Sequence, residues 1–224
     1  MTKKYKTVCI IPALNEEANI GVVLSRVKKY VDEVVVVDDG STDKTFKKAQ
    51  ENKVTVIKHI INRGQGAALE TGNQYAKKIN ADIVIHFDAD GQFLAEEIEE
   101  MIKPIKDGKA EIVFGSRFLG KTSEMPKFKK NIIIPLAHLA NKLIIGKSLS
   151  DPQSGFRALS KKALNKITIE QDGMAHCSEI IYKTFKNNLK IKEVPIKVIY
   201  KDFGQSFNGG IKIIKDLILS KIID

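Results

Sequence analysis

The chain has 224 residues, enough for one substantial domain with a complete hydrophobic core. Apolar residues make up 43% of it and charged residues 29%, a balance that is typical of soluble globular proteins. Its 37 basic residues outnumber its 27 acidic ones, and the formal net charge of +10 favours an anionic small molecule, an anionic membrane surface or a nucleic acid as partner, unless the excess is only a solvated surface.

From the features below we expect neither a secreted nor a membrane-spanning protein. The first residues, MTKKYKTVCII, run from a few basic side chains directly into an apolar stretch, without the longer apolar core of a secretory signal. No uninterrupted apolar run approaches the ~20 residues that span a bilayer. The two cysteines, Cys9 and Cys177, are too few and too far apart for a disulfide framework or a metal-binding cluster, so a reducing cytoplasm is the expected compartment.

Short apolar runs and amphipathic stretches alternate along the first half of the chain. The runs that predict buried strands cover residues 7–11, 33–38, 53–59, 82–87 and 110–115. Helical periodicity follows Asn15, which we interpret as a helix cap, and further helices are predicted over residues 42–50, 67–78 and 96–106. This alternation with short connections predicts an α/β fold, in which a mostly parallel sheet has helices on both faces.

The pattern loosens between residues 118 and 151 and then resumes. Residues 154–159 and 192–200 are predicted strands, and residues 179–186 and 211–223 are predicted helices. We therefore predict one main domain over residues 1–206, with residues 119–150 as a specialised segment, followed by an amphipathic helix over residues 207–224.

The specialised segment contains a basic run, residues 127–130, followed by the mostly apolar residues 132–145. Fourteen helical residues span roughly 21 Å, which is too short to cross a bilayer. A helix that lies in the membrane interface, with its basic flank at the headgroups, fits this pattern better. The alternative is that this helix and the C-terminal one pack on the core or against a second subunit.

A pair of carboxylates follows the fourth predicted strand, in the sequence IVIHFDADGQF of residues 83–93. Asp88 and Asp90 are two residues apart, so on an extended chain both side chains point to the same side. Open α/β sheets bind their ligands beyond the carboxyl ends of the strands. Two carboxylates there suit a hard cation such as Mg²⁺ or Mn²⁺, with Gln92 as a neutral oxygen within reach and phosphate oxygens completing the shell.

Two other predicted strands also end in polar residues. Residues 12–17, PALNEE, follow the first strand, and residues 37–43, VDDGSTD, follow the second. A tight turn with a helix cap explains the adjacent aspartates when they are considered alone, but a carboxylate such as Asp39 can also accept hydrogen bonds from a ribose hydroxyl or a base N–H. The glycine-rich turn of residues 62–68 could approach an anion through its backbone N–H groups, and Gly66 is its candidate binding residue.

Six motifs in this order resemble the family 2 glycosyltransferases of GT-A fold: PALNEE, VVDDGSTDKT, NRGQGAAL, FDADGQF, GSRF and DPQSGFRALS. The branch that they resemble more closely includes dolichol-phosphate mannose synthases and polyprenyl-phosphate glucosyltransferases. The resemblance extends from about Val8 to Ser206 and implies a GT-A catalytic domain, with a Rossmann-like sheet flanked by helices. It is much more specific for the fold and for the use of a nucleotide sugar than for the sugar itself.

The resemblance also implies roles for individual residues. The nucleotide pocket would be lined by Pro12, Ala13, Asn15, Glu17 and Asp39. The metal, Mg²⁺ or Mn²⁺, would be held by Asp88, Asp90 and Gln92. Arg117 would face the phosphates or the acceptor, and the strand and turn beside the acceptor channel would be formed by Ser154, Gly155, Phe156 and Arg157.

Two further positions complete the expected catalytic set, which also includes Asp90 and Arg117. Relatives usually have an arginine where this chain has Lys201, and lysine keeps the charge but loses the bidentate fork. Glu179 matches an acidic position in a later helix, and its alternative role is a carboxylate that stabilises the helix N-terminus.

The function that the resemblance implies is an inverting transfer of a hexose, mannose or glucose, from GDP-mannose or UDP-glucose to a polyprenyl (dolichyl) phosphate. The enzyme would be a peripheral protein on the cytoplasmic face of the membrane, with a homodimer or a separate membrane-spanning partner as further expectations.

Two other functions remain open from the sequence. A saccharide acceptor in cell-surface glycan synthesis would present a neutral hydroxyl and require a general base. A non-catalytic basic module that binds nucleotides or RNA belongs to another class. The 7% aromatic content, the lack of tryptophan and the acidic residues at the expected site count against that module, so no nucleic-acid partner is expected.

Overall fold

The structure is a computed structural model, and it describes residues 5–120 and 149–199. Within these ranges one sheet is built from β1 (Thr7–Ala13), β2 (Glu33–Asp38), β3 (Thr55–Lys58), β4 (Ile83–His86), β5 (Ile112–Ser116), β6 (Arg157–Ser160) and β7 (Ile191–Pro195). The helices are α1 (Ile20–Val27), α2 (Thr45–Glu51), α3 (Gln65–Lys78), α4 (Ile98–Lys106), α5 (Lys161–Lys166) and α6 (His176–Lys186). A 3-10 turn, Ala95–Glu97, precedes α4.

The strand order of the sheet is β3-β2-β1-β4-β6-β5-β7. β6 runs antiparallel to β4 and β5, and the other neighbouring pairs are parallel. The predicted α/β fold with a mostly parallel sheet is therefore confirmed. All of these strands except β6 end at one edge of the sheet, and β6 begins there, so polar segments that are distant in the sequence meet at that edge.

Each face of the sheet is covered by its own hydrophobic cluster. The four consecutive valines of β2 serve both, since Val34 and Val36 lie in one cluster and Val35 and Val37 in the other. Side chains alternate between the two faces along a strand, so a strand that is covered on both faces needs apolar residues at every position. Helices α1 and α4 cover the first face, and α3, α5 and α6 cover the second.

Strand β1 continues beyond its predicted end at Ile11 and includes Pro12. The carbonyl of Ile10 accepts a hydrogen bond from the N–H of Phe87 (3.1 Å), so Ile10 and, by alternation, Pro12 direct their backbone groups toward β4. Strand β4 ends at His86, opposite Ile10, and has left the sheet before the level of Pro12. The missing N–H of proline is therefore tolerated at this position.

The prediction that Asn15 caps the first helix is wrong, because α1 begins only at Ile20. Asn15 has a left-handed backbone with a φ of 55°, and its Oδ1 accepts hydrogen bonds from the backbone N–H and the hydroxyl of Thr42 (2.9 and 3.3 Å). Its side chain thus joins the loop after β1 to the loop after β2. Helix α2 begins at Thr45, and its N-cap residue Lys44 makes no capping hydrogen bond, while Asp43 just before it accepts hydrogen bonds from the N–H and hydroxyl of Thr45.

The later elements differ more from the prediction. Strand β6 begins at Arg157 rather than at residue 154, and the short helix α5 that follows it was not predicted. Its signal was Ser160, whose hydroxyl accepts a hydrogen bond from the N–H of Ala163 as an N-cap (3.2 Å). The last predicted strand is shorter, and Val198 returns to the sheet edge only as an isolated bridge to Phe93.

Several predicted features lie outside the described residues. They are most of the specialised segment 119–150, the interfacial helix over residues 132–145, Lys201, and the C-terminal helix over residues 207–224. Among the helices of residues 5–120 and 149–199, none has both the length and the apolar character needed to cross a bilayer.

The close packing of α3 on β1 generates a prediction about stability. Gly72 of α3 lies against Ile10, where an added Cβ would overlap the isoleucine side chain. We expect Gly72→Ala to lower the free energy of unfolding by about 1–2 kcal/mol, because overpacking exceeds the gain in helix propensity. Urea denaturation measures the change. In an Ile10→Ala background the same substitution should lose its cost, and a stabilising effect in the wild type would contradict the close approach.

Candidate active site

The polar segments that follow β1, β2, β4 and β5 meet at one edge of the sheet, beside the segment that leads into β6. This is the edge at which open α/β sheets bind ligands. Most of the site residues predicted from the sequence lie in these segments. Their side chains nevertheless have different surroundings, which separate them into groups with different chemical roles.

Asp88 lies two residues beyond the end of β4 and is packed from two sides. The side-chain amide of Gln65, at the start of α3, donates a hydrogen bond to its Oδ1 (2.9 Å). On the other side the carboxylate rests against Gly155, where a Cβ would overlap both of its oxygens, so glycine is required there. Gln65 was not among the predicted site residues, and its only signal in the sequence is its place in the glycine-rich turn.

The carboxyl group of Asp88 is difficult to ionise in these surroundings. Burial is the main cause that raises its pKa, and the nearby carboxylate of Asp90 adds repulsion, so the pKa reaches about 7 although Arg157 opposes the shift. A cation beside the two carboxylates would relieve both effects. Such a site is therefore chemically favourable for a positive ion.

The donors at this position fit Mg²⁺ or Mn²⁺. Two carboxylates and the amide oxygen of Gln92 are hard oxygen ligands, and Mg²⁺ is usually bound through one or two carboxylates together with substrate phosphates. Within the described ranges, no group of three or more histidine, cysteine, aspartate or glutamate side chains is arranged to hold a metal ion.

The turn after Asp88 is held in place by hydrogen bonding and by aromatic packing. The backbone N–H of Gln92 donates to Oδ1 of Asp90 (2.9 Å), which sets the direction of that carboxylate. Phe87 and Phe93 flank the acidic pair, and their ring centroids lie 5.1 and 5.3 Å from that of Phe156. Both ends of the turn are thus packed against the segment before β6.

Arg157 begins β6, as expected for the strand and turn beside the acceptor channel, but its side chain is completely buried. It lies opposite His86 in the sheet, and its Nη2 donates to Sγ of Cys177 (3.1 Å). Burial alone would raise the pKa of Cys177, but Arg157 and His176 outweigh it and lower that pKa to about 6. The charge of Arg157 also opposes the rise in the pKa of Asp88, and its role in substrate binding stays a prediction.

Ser154 lies in the segment before β6 and is only 2% exposed. Its hydroxyl is buried and has no hydrogen-bond partner among the residues that the structure describes. A buried hydroxyl without a partner is unfavourable, so a polar group of a substrate could satisfy it. The role of Ser154 in substrate binding stays a prediction.

Asp39, expected near the ribose or base, organises the loop after β3. Its Oδ1 is bonded to Nδ1 of His59 (2.7 Å) and accepts from the N–H of Arg63 (3.0 Å), and its Oδ2 accepts from the N–H of Gly64 (2.7 Å). The second ring nitrogen of His59 is bonded to the hydroxyl of Thr71 (2.9 Å). One lone pair of Oδ2 remains in this arrangement for a ligand donor. His59 was not among the predicted site residues, and the only feature of the sequence that could have indicated it is its position directly after a strand.

The other residues expected in the nucleotide pocket are buried or join neighbouring loops. Pro12 and Ala13 are buried at the end of β1. Glu17 accepts a hydrogen bond from the N–H of Lys44 (3.0 Å), and Asn15 is bonded to Thr42, so both side chains tie the loop after β1 to the loop after β2. Their predicted contacts with a nucleotide remain untested.

The prediction that the glycine-rich turn offers Gly66 to an anion is wrong. The N–H groups of Gly66 and Ala67 donate to the carbonyl of Asp172 (2.8 and 3.3 Å). A Cβ at position 66 would overlap the carbonyl of Gln171, so the glycine is explained by the close approach of that loop. The N–H groups at the start of the turn are already bonded to Asp39, as described above.

Arg117 follows β5 and forms a bidentate pair with Asp151, which was not among the predicted site residues. Nε lies 2.6 Å from Oδ2 and Nη2 lies 2.7 Å from Oδ1. The signal for Asp151 was its position at the start of DPQSGFR. Two guanidinium groups were predicted at the site. That of Arg117 is partly exposed, whereas that of Arg157 is buried.

Glu179 lies at the start of α6, and both of its carboxylate oxygens are used within the protein. They accept hydrogen bonds from the N–H groups of Glu170 and Gln171 (2.9 Å each), and Nζ of Lys183 lies 2.7 Å from Oε1. This arrangement matches the structural alternative for Glu179, a carboxylate at a helix N-terminus. A catalytic role for it stays a prediction.

Comparisons with known proteins agree on one family. The family model for glycosyl transferase family 2 matches residues 8–168. The chain is 36% identical to the UDP-N-acetylglucosamine–dolichyl-phosphate N-acetylglucosaminyltransferase of Methanococcus voltae, over 95% of this chain and 95% of the relative. It is 32% identical to the dolichol-phosphate mannosyltransferase of Pyrococcus furiosus, over 90% of this chain and 58% of that relative.

A solved structure confirms the GT-A fold. The glucosyl-3-phosphoglycerate synthase of Mycobacterium tuberculosis, crystallised with Mn²⁺, UDP and phosphoglyceric acid, has a TM-score of 0.75 with this chain. The likeness covers 96% of this chain and 78% of that one at 21% sequence identity, and it therefore establishes the architecture alone.

The raised pKa of Asp88 can be tested without any ligand. In metal-free protein we expect the Asp88 carboxyl to titrate with a midpoint of about 7, measured by carbon-detected NMR. Asp90→Asn should lower that midpoint, because it removes a negative charge that disfavours ionisation of Asp88. Glu111 is the internal control, since its hydrogen bond with Lys162 lowers its pKa. An Asp88 midpoint near 4 would contradict the described burial.

Proposed function

The chain belongs to the family 2 glycosyltransferases, and we propose that it transfers a sugar from a nucleotide donor to the phosphate of a polyprenyl lipid. The observation that supports this best is the placement of opposite charges at one edge of the sheet. The carboxylates of Asp88 and Asp90 follow β4, and the guanidinium of Arg117 follows β5. The first group suits the cation of a donor pyrophosphate, and the second suits an acceptor phosphate.

The names of two relatives support the lipid acceptor. Both the N-acetylglucosaminyltransferase and the mannosyltransferase described above are named for transfer to dolichyl phosphate. Their sugars differ, so the acceptor is the shared part of their activities. The net charge of +10 is compatible with a substrate that carries a phosphate at a membrane surface.

On the donor side, Asp88, Asp90 and Gln92 would hold Mg²⁺ or Mn²⁺. When bound, the metal would neutralise the charge of the nucleotide diphosphate as it leaves. Gln65 and Gly155 keep Asp88 in place, and the turn at Gln92 orients Asp90. The remaining lone pair of Asp39 is available for a hydroxyl or N–H of the nucleoside.

On the acceptor side, a phosphate monoester needs no base to become a nucleophile. Its second pKa is about 6, so it is largely ionised at neutral pH. The protein then has to bind and orient the phosphate, a function that suits the guanidinium of Arg117. The engagement of both oxygens of Glu179 within the protein is consistent with a reaction that has no dedicated base.

The acceptor also determines where the enzyme would work. A polyprenyl phosphate carries its headgroup at the membrane surface, so the edge of the sheet that contains Arg117 should face the lipid. We place the protein on the cytoplasmic face as a peripheral protein. A homodimer or a separate membrane-spanning partner would be compatible with this placement.

Transfer itself is tested with a panel of radiolabelled donors, GDP-mannose, UDP-glucose and UDP-N-acetylglucosamine, each with polyprenyl phosphate and Mg²⁺ or Mn²⁺. One donor should label the lipid, and EDTA should abolish the labelling. Asp90→Asn should reduce the rate by at least ~100-fold, since the leaving pyrophosphate loses its counter-charge. Asp107→Asn makes the same chemical change on the surface and should have no effect. Full activity in EDTA would remove the metal from the mechanism, and labelling of a saccharide alone would change the acceptor.

The role of Arg117 is tested by separating acceptor use from donor binding. Arg117→Ala should raise the KM for polyprenyl phosphate by about tenfold or more, because a charge-assisted hydrogen bond is lost, while the Kd of the donor stays unchanged. Arg26→Ala is the control, since Arg26 lies in the last turn of α1, toward the opposite edge of the sheet. An equal loss of donor affinity would contradict a role on the acceptor side.

The same reaction has an expected pH dependence. Single-turnover transfer should decline as pH falls through the second pKa of the acceptor, because the dianion is the better nucleophile. Asp88 gains its proton in a neighbouring range, so donor binding has to be measured at each pH and kept saturating. Glu179→Gln should leave the profile unchanged. A pH limb that disappears in this variant while donor binding stays intact would identify Glu179 as a general base and favour a hydroxyl acceptor.

A further inference from the structure

Arg117 and Asp151 are joined more firmly than a surface ion pair usually is. Besides the two side-chain contacts of 2.6 and 2.7 Å, the backbone N–H of Arg117 donates to Oδ2 of Asp151 (3.1 Å). One carboxylate therefore binds both the backbone and the side chain of the same residue. This closed arrangement determines the direction in which the arginine side chain leaves the backbone as well as the plane of its guanidinium.

The two partners differ in exposure. The side chain of Asp151 is 2% exposed and that of Arg117 is 23% exposed. The carboxylate forms the buried side of the pair, and the guanidinium forms its more exposed side. A buried carboxylate with three N–H contacts has little freedom to move, so it is a fixed reference for the arginine. The ring of Phe118, with its centroid 5.6 Å from Cζ of Arg117, adds a further contact.

The neighbours of both residues are tied to the sheet by a second link. Ser116 and Ser150 precede the two partners, and their hydroxyls lie 2.5 Å apart. The N–H and hydroxyl of Ser150 both contact Oε1 of Glu193 in β7 (2.7 and 2.6 Å). This second link joins the same two chain segments without touching the guanidinium, so it can be removed separately.

We infer that Asp151 is a positioning residue that holds the guanidinium of Arg117 in the orientation that binds the acceptor phosphate. The inference rests on the proposed function and deepens it by naming the residue that prepares the acceptor site. An arginine without such a partner samples many rotamers and has to be ordered each time a ligand binds. The bidentate pair orders it in advance, before the phosphate binds.

A carboxylate beside an arginine has a second, opposing effect, because it reduces the positive charge that a phosphate meets. The two effects predict opposite outcomes when the charge of Asp151 is removed. Loss of orientation weakens acceptor use, whereas loss of the negative charge strengthens it. The burial of Asp151 and its three contacts indicate that orientation is the larger effect.

The test compares the steady-state kinetics of the full-length protein and of Asp151→Asn with polyprenyl phosphate. We expect the KM for the acceptor to rise by about tenfold, as for a lost charge-assisted hydrogen bond, with the KM for the donor unchanged. Ser150→Ala is the matched control, because it weakens the second link between the same segments and leaves the arginine pair intact. Its KM for the acceptor should stay at the wild-type value.

A double-mutant cycle then shows whether Asp151 acts through Arg117. In an Arg117→Ala background, Asp151→Asn should cause no further change in the KM for the acceptor. If Asp151→Asn does not fold, Arg117→Lys replaces it, since lysine keeps the charge but cannot form the fork. This variant should raise the KM for the acceptor in the same way.

Several results would overturn the inference. These are an unchanged or lower acceptor KM in Asp151→Asn, an equal rise in Ser150→Ala, additive effects in the double mutant, or wild-type kinetics in Arg117→Lys. Wild-type protein that does not label polyprenyl phosphate with any donor would contradict the proposed function and this inference together. Wild-type labelling combined with one of the results above would contradict the inference alone.

Discussion

The position of the Asp88 carboxylate constrains the rest of the site. A carboxylate that is removed from water is unfavourable unless other groups compensate for it, and here the surrounding groups come from two chain segments that are distant in the sequence. Gln65 donates to it from the start of α3, Gly155 allows the backbone before β6 to approach it, and Arg157 provides a positive charge beneath it. A shift of either segment would expose or crowd the same carboxylate, so the position of Asp88 links the two segments.

The antiparallel strand β6 determines how the two halves of the site are spaced. It is inserted between β4 and β5, so the acidic pair and Arg117 stand two strand spacings apart, about 10 Å. Because β6 begins at the edge where its neighbours end, the residues that precede it lie between the donor side and the acceptor side. Asp151 contacts Arg117 on one side of this segment, and Gly155 contacts Asp88 on the other.

The two arginines of the site show how surroundings change the use of one side chain. Arg157 is fully buried, and among the described residues its side chain donates a hydrogen bond to the thiol of Cys177. The charge of Arg157 lowers the pKa of that thiol. Arg117 is partly exposed and is held by a buried carboxylate. The first guanidinium influences the charge balance from within the core, and the second is the one that we propose for binding a phosphate. Both lie in motifs of the same family, and burial separates their roles.

The sequence by itself determined the alternation of strands and helices, the mostly parallel sheet and the family. These properties depend on local patterns, such as the valines of β2, whose predicted range matches the strand observed. It also located the acidic pair after β4, because spacing of two residues is a local property. The tertiary structure alone decided that Asn15 bonds to another loop, that the N–H of Gly66 is already used, and that Arg157 is buried. It also revealed Gln65, His59 and Asp151, whose partners lie far away along the chain. A hydrogen-bond partner or a buried environment is set by how distant segments pack, and no local pattern of residues contains that information.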